Sequence, residues 1–301
     1  MTGPWPDEPE IAAFQRRCDA FYPPDAVAAP IERQREWYDA LCREFDAPRP
    51  PGLAVEDSRR GGVATRLYRP ASVAAPATIL YLHGGGFVVG SLASHDAICA
   101  EIAAETQAEL VAVDYRLSPE HRHPAAADDA LAVLRALLAE GRRVVVAGDS
   151  AGGTLAAGLA LRARDLRLGP VVGQALIYPG LGGDLVSGSY AEMAEAPGLS
   201  SADVRYYREL QGAAEDDALA YPLRAADLAG LPPAYVTAAR FDPLRDDGRL
   251  YAARLAAAGI DVAFREEPQM VHAWLRARHT SPGAKAGFAA LCAGIAMLAR
   301  R

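Results

Sequence analysis

The chain has 301 residues, 51% of them hydrophobic and 23% charged, with a formal net charge of −7. Such a composition supports a large buried core and excludes global disorder. With 31 basic against 38 acidic residues, it argues against a nucleic-acid binder or a polybasic membrane-surface protein.

The N-terminus, Met1 to Glu8, is acidic and broken by prolines. It lacks the basic and apolar regions of a signal peptide, so a cytoplasmic location is expected. Residues 8–47 read as two helical segments, broken at Pro23-Pro24 and ended near Pro48 to Pro51. The second carries Ile31, Gln34, Trp37, Tyr38 and Leu41 at helical spacing. Strand candidates follow at 63–68, 78–82, 109–114, 143–147, 171–178, 234–239 and 261–265. Several are continuous apolar runs, as strands buried on both faces require. Helical patterns lie between them at 95–107, 125–140, 152–165, 245–258 and 284–299. This alternation predicts an α/β fold, a mostly parallel sheet covered by helices, with its site at the carboxyl ends of the strands. Residues 71–95 carry no Asp, Glu, Lys or Arg but hold Pro76, His83 and three successive glycines. They read as a buried strand and loop, not a membrane span.

Residues 181–216 break the rhythm with glycine-rich turns and a polar helical stretch holding Tyr206 and Tyr207. The expected division is an N-terminal helical cap segment over 1–50, a core over 51–180 and 217–301, and a cap insertion over 181–216. Cys18, Cys42, Cys99 and Cys292 are far apart and match no ligand spacing. They suit a reducing compartment, and neither metal nor organic cofactor is expected. An exposed edge strand near 261–265 would allow a homodimer.

Gly148-Asp149-Ser150-Ala151-Gly152-Gly153 sits between the strand Val144 to Val146 and a helix. This is GxSxG in the strand–turn–helix setting of a nucleophile elbow. A chain of this composition holds about 0.09 chance matches, so context must carry the assignment. His83-Gly84-Gly85-Gly86 follows the strand Thr78 to Leu82; about 0.004 chance matches are expected. Glycine-loop amides aimed at one oxygen form an oxyanion hole. A phosphate-binding nest would add Lys or a GxGxxG frame, and neither is present.

A serine nucleophile in this order needs an acid and then a histidine after it. Only His272 and His279 follow Ser150. His272, placed in the loop after the last strand, is the better base; His279 reads as a surface side chain. Asp242 follows the strand Ala234 to Ala239 and suits the acid. Followed by Pro243, it suits a helix N-cap equally well, and spacing leaves both readings open. Asp246 and Asp247 are explained by the helix dipole.

Together these motifs resemble the hormone-sensitive-lipase-like bacterial carboxylesterases of the α/β-hydrolases, from about residue 60 to 275. The match includes Tyr81 to Phe87, Asp114 to Glu120, Gly148 to Gly153, Leu231-Pro232-Pro233 and Phe241 to Asp246. The resemblance implies Ser150 as nucleophile, Asp242 as acid, His272 as base, and oxyanion donors from Gly84, Gly85 and Ala151. It implies a serine carboxylesterase acting on small, mainly short-acyl esters, with a cap that shapes the acyl pocket. Trp37, Phe87, Tyr206 and Tyr207 are candidate pocket side chains. An amidase or formamidase, a true lipase and a non-catalytic small-molecule receptor are the alternatives on this scaffold. Two departures stand out: Ala273-Trp274 after His272, and Ser118 where the family commonly has Ala. His83, His121 and His123 are expected to hold loops, and Asp114 to Glu120 to serve as scaffold.

Overall fold

The computed structural model describes residues 5–23 and 26–301, so Met1 to Pro4, Pro24 and Asp25 lie outside the described residues. Two helices, α1 (Pro9–Asp19) and α2 (Ile31–Glu44), precede strands β1 (Ala54–Arg60), β2 (Val63–Arg69) and β3 (Ala77–Leu82). Then come α3 (Asp96–Thr106), β4 (Leu110–Val113), α4 (Ala125–Ala139), β5 (Arg143–Asp149), α5 (Ala151–Asp165) and β6 (Val171–Ile177). After α6 (Ser189–Glu192) and α7 (Ser201–Gln211), the sheet resumes with β7 (Ala234–Phe241), α8 (Arg245–Ala257), β8 (Val262–Val271) and α9 (Pro282–Ala299).

The eight strands form one sheet in the order β1-β2-β4-β3-β5-β6-β7-β8. β1, β2 and β4 pair antiparallel, and every pair from β4 to β8 is parallel. This is the α/β-hydrolase architecture expected from the alternation. Strand period explains the two layers. Ile79, Tyr81, Val145 and Ala147 face one cluster with residues of α1, α3 and α9, while Leu80, Leu82, Val144 and Val146 face another with α4, α5 and α8. Burying each large apolar side chain contributes roughly 1.5–3 kcal/mol, so these layers fix the sheet on which the site is built.

All seven expected strands are present, and β1 is an eighth. Its sequence, AVEDSRR, is polar and mostly exposed, because it is an edge strand. The turn Gly61-Gly62, with both residues at positive φ, was the signal for its hairpin with β2. β8 is longer than expected and runs through Pro268 to Val271. An edge strand tolerates proline because its outer N–H groups need no partner. His272 therefore follows a strand directly, not a loop.

Residues 71–95 supply β3 and a buried loop, as expected. Helix α9 is long and apolar enough to cross a membrane by length and composition, but 56% of it is buried, with Leu291, Ile295 and Leu298 in the first core layer. Between β6 and β7, α7 opens with a reciprocal capping box between Ser200 and Asp203 and closes at Gly212, φ +68. This loop region is tied to the core by Asp247, which sits fully buried in α8. Its Oδ2 accepts from the amides of Leu181, Gly182 and Gly183 and from the Tyr190 hydroxyl. The dipole reading of Asp247 is thus too weak: a buried carboxylate holds the base of the insertion.

Candidate active site

β5 ends at Asp149 and α5 starts at Ala151, which leaves Ser150 alone in the turn with φ +53 and ψ −121. A non-glycine residue in such a conformation costs on the order of 1–3 kcal/mol and persists only where its surroundings enforce it. They do so here by crowding. A Cβ on Gly152 would lie 1.9 Å from the Leu82 carbonyl oxygen, and one on Gly148 would lie 2.4 Å from the backbone of Gly152. The Ser150 amide donates to the Ile177 carbonyl at 2.9 Å.

Three residues from three strand ends meet at this turn. His272 Nε2 is 2.9 Å from Ser150 Oγ, and its Nδ1 is 2.7 Å from Asp242 Oδ2. A carboxylate oxygen only accepts, so Nδ1 carries the proton and Nε2 is left to accept from the serine hydroxyl. Asp242 has no exposed surface. Its second oxygen, Oδ1, accepts from the Leu244 amide at 2.8 Å. The two sequence readings of Asp242 are resolved by dividing the carboxylate. Helix α8 begins at Arg245 after Leu244, so Asp242-Pro243 is not its N-cap and first residue. One oxygen still holds the helix entry while the other faces His272. His279 lies elsewhere, paired with Glu101 at 3.0 Å and half exposed.

The glycine loop departs from expectation. The Gly84 amide is not free: it donates to Asp149 Oδ1 at 3.0 Å. A donor already committed to a carboxylate cannot also serve an oxyanion, so Gly84 is removed from that role. Gly85 and Gly86 line the cavity beside Ser150 and Ala151. Among the described residues, the amides of Gly85, Gly86 and Ala151 donate to no protein acceptor. Gly86 must be glycine twice over. Its φ is +59, and a Cβ there would lie 2.5 Å from the Tyr207 ring.

Asp149 is the hub that the sequence did not mark. Besides Gly84, its Oδ1 accepts from the Tyr81 hydroxyl at 2.9 Å, and its Oδ2 lies 3.4 Å from His95 Nε2. Burial opposes its ionisation, but His95, the Tyr81 hydroxyl and the Arg276 charge together hold its carboxyl well below the usual range. Arg276 is buried and donates to the Ser94 carbonyl and the Tyr38 hydroxyl. Only its place in a charged stretch next to His272 could have flagged it. His83 stacks on Tyr115 at 4.2 Å and sits 2.8 Å from the Gly84 carbonyl. Burial first, then the neighbouring His95, push its imidazole down to about 3. His83 and His123 hold loops, the latter through Asp217 at 2.8 Å. His121 does not: it is exposed, and among the described residues its side chain makes no hydrogen bond, because it points off the surface. Arg116 pairs with Asp129 and Glu120 with Arg35, as scaffold groups do.

A cavity of about 460 Å³ opens onto Ser150 and His272. Phe87 and Tyr207 line it, as do Tyr22 and Tyr38 from the N-terminal segment. Trp37 and Tyr206 do not: the Trp37 ring packs under Arg33, and the Tyr206 hydroxyl accepts from Gln34 at 2.8 Å. Among the described residues no cluster of His, Cys, Asp and Glu is arranged to hold a metal.

Comparison with known proteins settles the family. Residues 79–276 match the family described as having the alpha/beta hydrolase fold. The chain belongs to the α/β-hydrolases. Esterase LipI of Mycobacterium tuberculosis is 43% identical over 76% of this chain and 78% of its own. Carboxylesterase NlhH of the same species is 37% identical over 94% and 95%. Among solved structures, a bacterial heroin esterase superposes with a TM-score of 0.87 at 31% identity, covering 98% of each chain. An ester hydrolase from the metagenome of Lake Arreo gives 0.87 at 32% identity, covering 96% of this chain and 98% of its own. These relatives place this α/β-hydrolase in the hormone-sensitive-lipase-like branch.

Proposed function

We propose that this α/β-hydrolase is a serine carboxylesterase in which Ser150 is the nucleophile, His272 the base and Asp242 the acid. The observation that carries the reading is the hydrogen-bonded line from Ser150 Oγ to His272 Nε2, and from Nδ1 to Asp242. His272 takes the Ser150 proton as Oγ attacks the ester carbonyl, and Asp242 holds and stabilises the resulting imidazolium. The amides of Gly85, Gly86 and Ala151 stabilise the tetrahedral oxyanion; Gly86 takes the place expected for Gly84. His272 then protonates the departing alcohol, and water attacks the acyl-enzyme by the same route.

The N-terminal helices and the 181–216 insertion act as the cap, since both contribute cavity residues. A cavity of about 460 Å³ suits small, short-acyl esters. The test is hydrolysis of p-nitrophenyl esters from acetyl to dodecanoyl, wild type beside Ser150→Ala. Serine-dependent turnover that peaks at short chains is expected; an active Ser150→Ala enzyme would sink the assignment. The buried thiols of all four cysteines fit a reducing, cytoplasmic setting. The half-open edge of β8, with Phe264 40% exposed, is where a second copy would pair, and sedimentation equilibrium tests that.

A further inference from the structure

A guanidinium is buried near the nucleophile turn with no carboxylate bonded to it. Arg276 stands in the short turn Trp274–Ala277, just after His272. It is 7% exposed and lines the cavity that holds Ser150. Its Nη1 donates to the Ser94 carbonyl at 3.0 Å, and its Nη2 to the Tyr38 hydroxyl at 3.1 Å. The Tyr38 ring lies under the guanidinium, with its centroid 5.4 Å from Cζ. Nη2 is also 3.5 Å from His95 Nε2. Burial holds the His95 imidazole below its ordinary value, so at neutral pH every partner of Arg276 among the described residues is uncharged. Burying a charge without a counter-charge is costly, and the counter-charge lies one group further out.

That group is Asp149, whose Oδ2 lies 3.4 Å from the same His95 nitrogen. Nε2 therefore faces a guanidinium on one side and a carboxylate on the other. The Ser94 hydroxyl decides which of them it serves. Ser94 Oγ donates its only hydrogen to the Ser91 carbonyl at 2.9 Å, so it accepts from His95 Nδ1 at 2.9 Å. With Nδ1 protonated in a neutral ring, Nε2 presents a lone pair and has no hydrogen to give Asp149. The other groups at Asp149, the Gly84 amide and the Tyr81 and Tyr178 hydroxyls, are neutral as well. The positive charge that Asp149 receives from this side comes from Arg276.

We propose that Arg276 is a positioning residue for the reaction: its buried charge balances the Asp149 carboxylate across His95, and Asp149 in turn fixes the glycine loop whose amides face the oxyanion. This rests on the esterase reading and adds to it a residue that acts through its charge. A residue that only propped Tyr38 and Ser94 could be replaced by any donor of similar reach, whereas a counter-charge could not.

The experiment measures kcat and KM on p-nitrophenyl butyrate. Arg276→Gln keeps amide donors and removes the charge; Arg276→Lys keeps the charge. Arg276→Gln is expected to lower kcat by about tenfold to a hundredfold with KM within about threefold of wild type, and Arg276→Lys to recover most of that loss. In the Asp149→Asn background there is no carboxylate to balance, so adding Arg276→Gln is expected to lower kcat by less than about threefold more. A KM that rises while kcat holds, equal activity of the two arginine variants, or an equal fall in both backgrounds overturns the proposal. Thermal melts cover a variant too unstable to assay. Removing both charges is expected to cost less stability than the two single losses added together, and strict additivity overturns the counter-charge. A wild type that turns over no p-nitrophenyl ester overturns the esterase reading instead, and the melts still test the charge pair.

Discussion

The amide of Gly84 donates to the carboxylate of Asp149 at 3.0 Å, across 65 residues of sequence. Asp149 immediately precedes Ser150, so one side chain ties the nucleophile turn to the glycine loop. A Cβ on Gly84 would lie 2.4 Å from Asp149 Oδ2, which explains why no larger residue fits. Asp149 also lies 3.5 Å from the Tyr178 hydroxyl, and the Tyr178 ring packs edge-on to His272 at 4.9 Å. Asp149 is therefore a positioning residue for the loop and for the base, although it touches no substrate.

Asp149→Asn keeps the shape but removes the charge that His95 and Arg276 balance. Displacing loop amides by a fraction of an ångström weakens stabilisation of the oxyanion more than binding of the ground state. The expected result is a fall in kcat of about tenfold to a hundredfold with KM little changed. Inhibition by an alkylboronic acid, which forms a tetrahedral adduct on Ser150, is expected to weaken in parallel with kcat. A variant whose KM rises while kcat holds would count against this role.

Gly86 faces two constraints, a positive φ and the Tyr207 ring 2.5 Å from where a Cβ would stand. Gly86→Ala is expected to destabilise by about 1–3 kcal/mol and to lower kcat strongly. In the double variant Gly86→Ala/Tyr207→Ala the ring is gone but the backbone conflict remains. Thermal melts are expected to recover part of the lost stability while kcat stays low. Full recovery of kcat would show that the clash with the Tyr207 ring alone, and not the backbone conflict, displaces the amide of residue 86.

The core of the fold was legible because strands buried on both faces write continuous apolar runs, as β3 and β5 do. β1 was not, since an exposed edge strand needs no apolar residues. That Ser150, His272 and Asp242 meet was legible from motif, chain order and strand ends. The error at Gly84 has a physical cause: a glycine run does not say which amide another side chain has already claimed. Asp149 and Arg276 act through burial and distant partners, a property with no local signature.

His83 offers a test against pH. Its folded-state imidazole is pushed down to about 3, chiefly by burial, from an ordinary value of 6.5. The unfolded chain therefore binds the proton more readily between those values. The stability this residue contributes as a neutral ring is fully present above pH 6.5 and is lost as pH falls toward 3, on the order of 3–5 kcal/mol. His83→Asn keeps a donor for the Gly84 carbonyl and cannot titrate. Its unfolding free energy, measured by urea titration, is expected to fall less steeply between pH 6 and pH 4 (about the middle of that window) than that of the wild type. Equal slopes would show that acid sensitivity arises elsewhere.

Ser150 carries the last prediction, because its side chain and its backbone make opposite demands. The hydroxyl is needed by the proposed reaction, while φ +53 with ψ −121 is a conformation that only glycine adopts without cost. Ser150→Ala and Ser150→Gly both delete the hydroxyl and its 2.9 Å contact with His272, so that loss cancels between them. What differs is the Cβ held in a strained turn. Relief of the strain outweighs the extra freedom that glycine gives the unfolded chain, by about 1 kcal/mol. Both variants are expected to be inactive, and Ser150→Gly to melt higher than Ser150→Ala by about 1–3 °C. A glycine variant that melts lower would mean that the surrounding glycines have already relaxed the turn, and that the elbow stores no strain for the serine to bear.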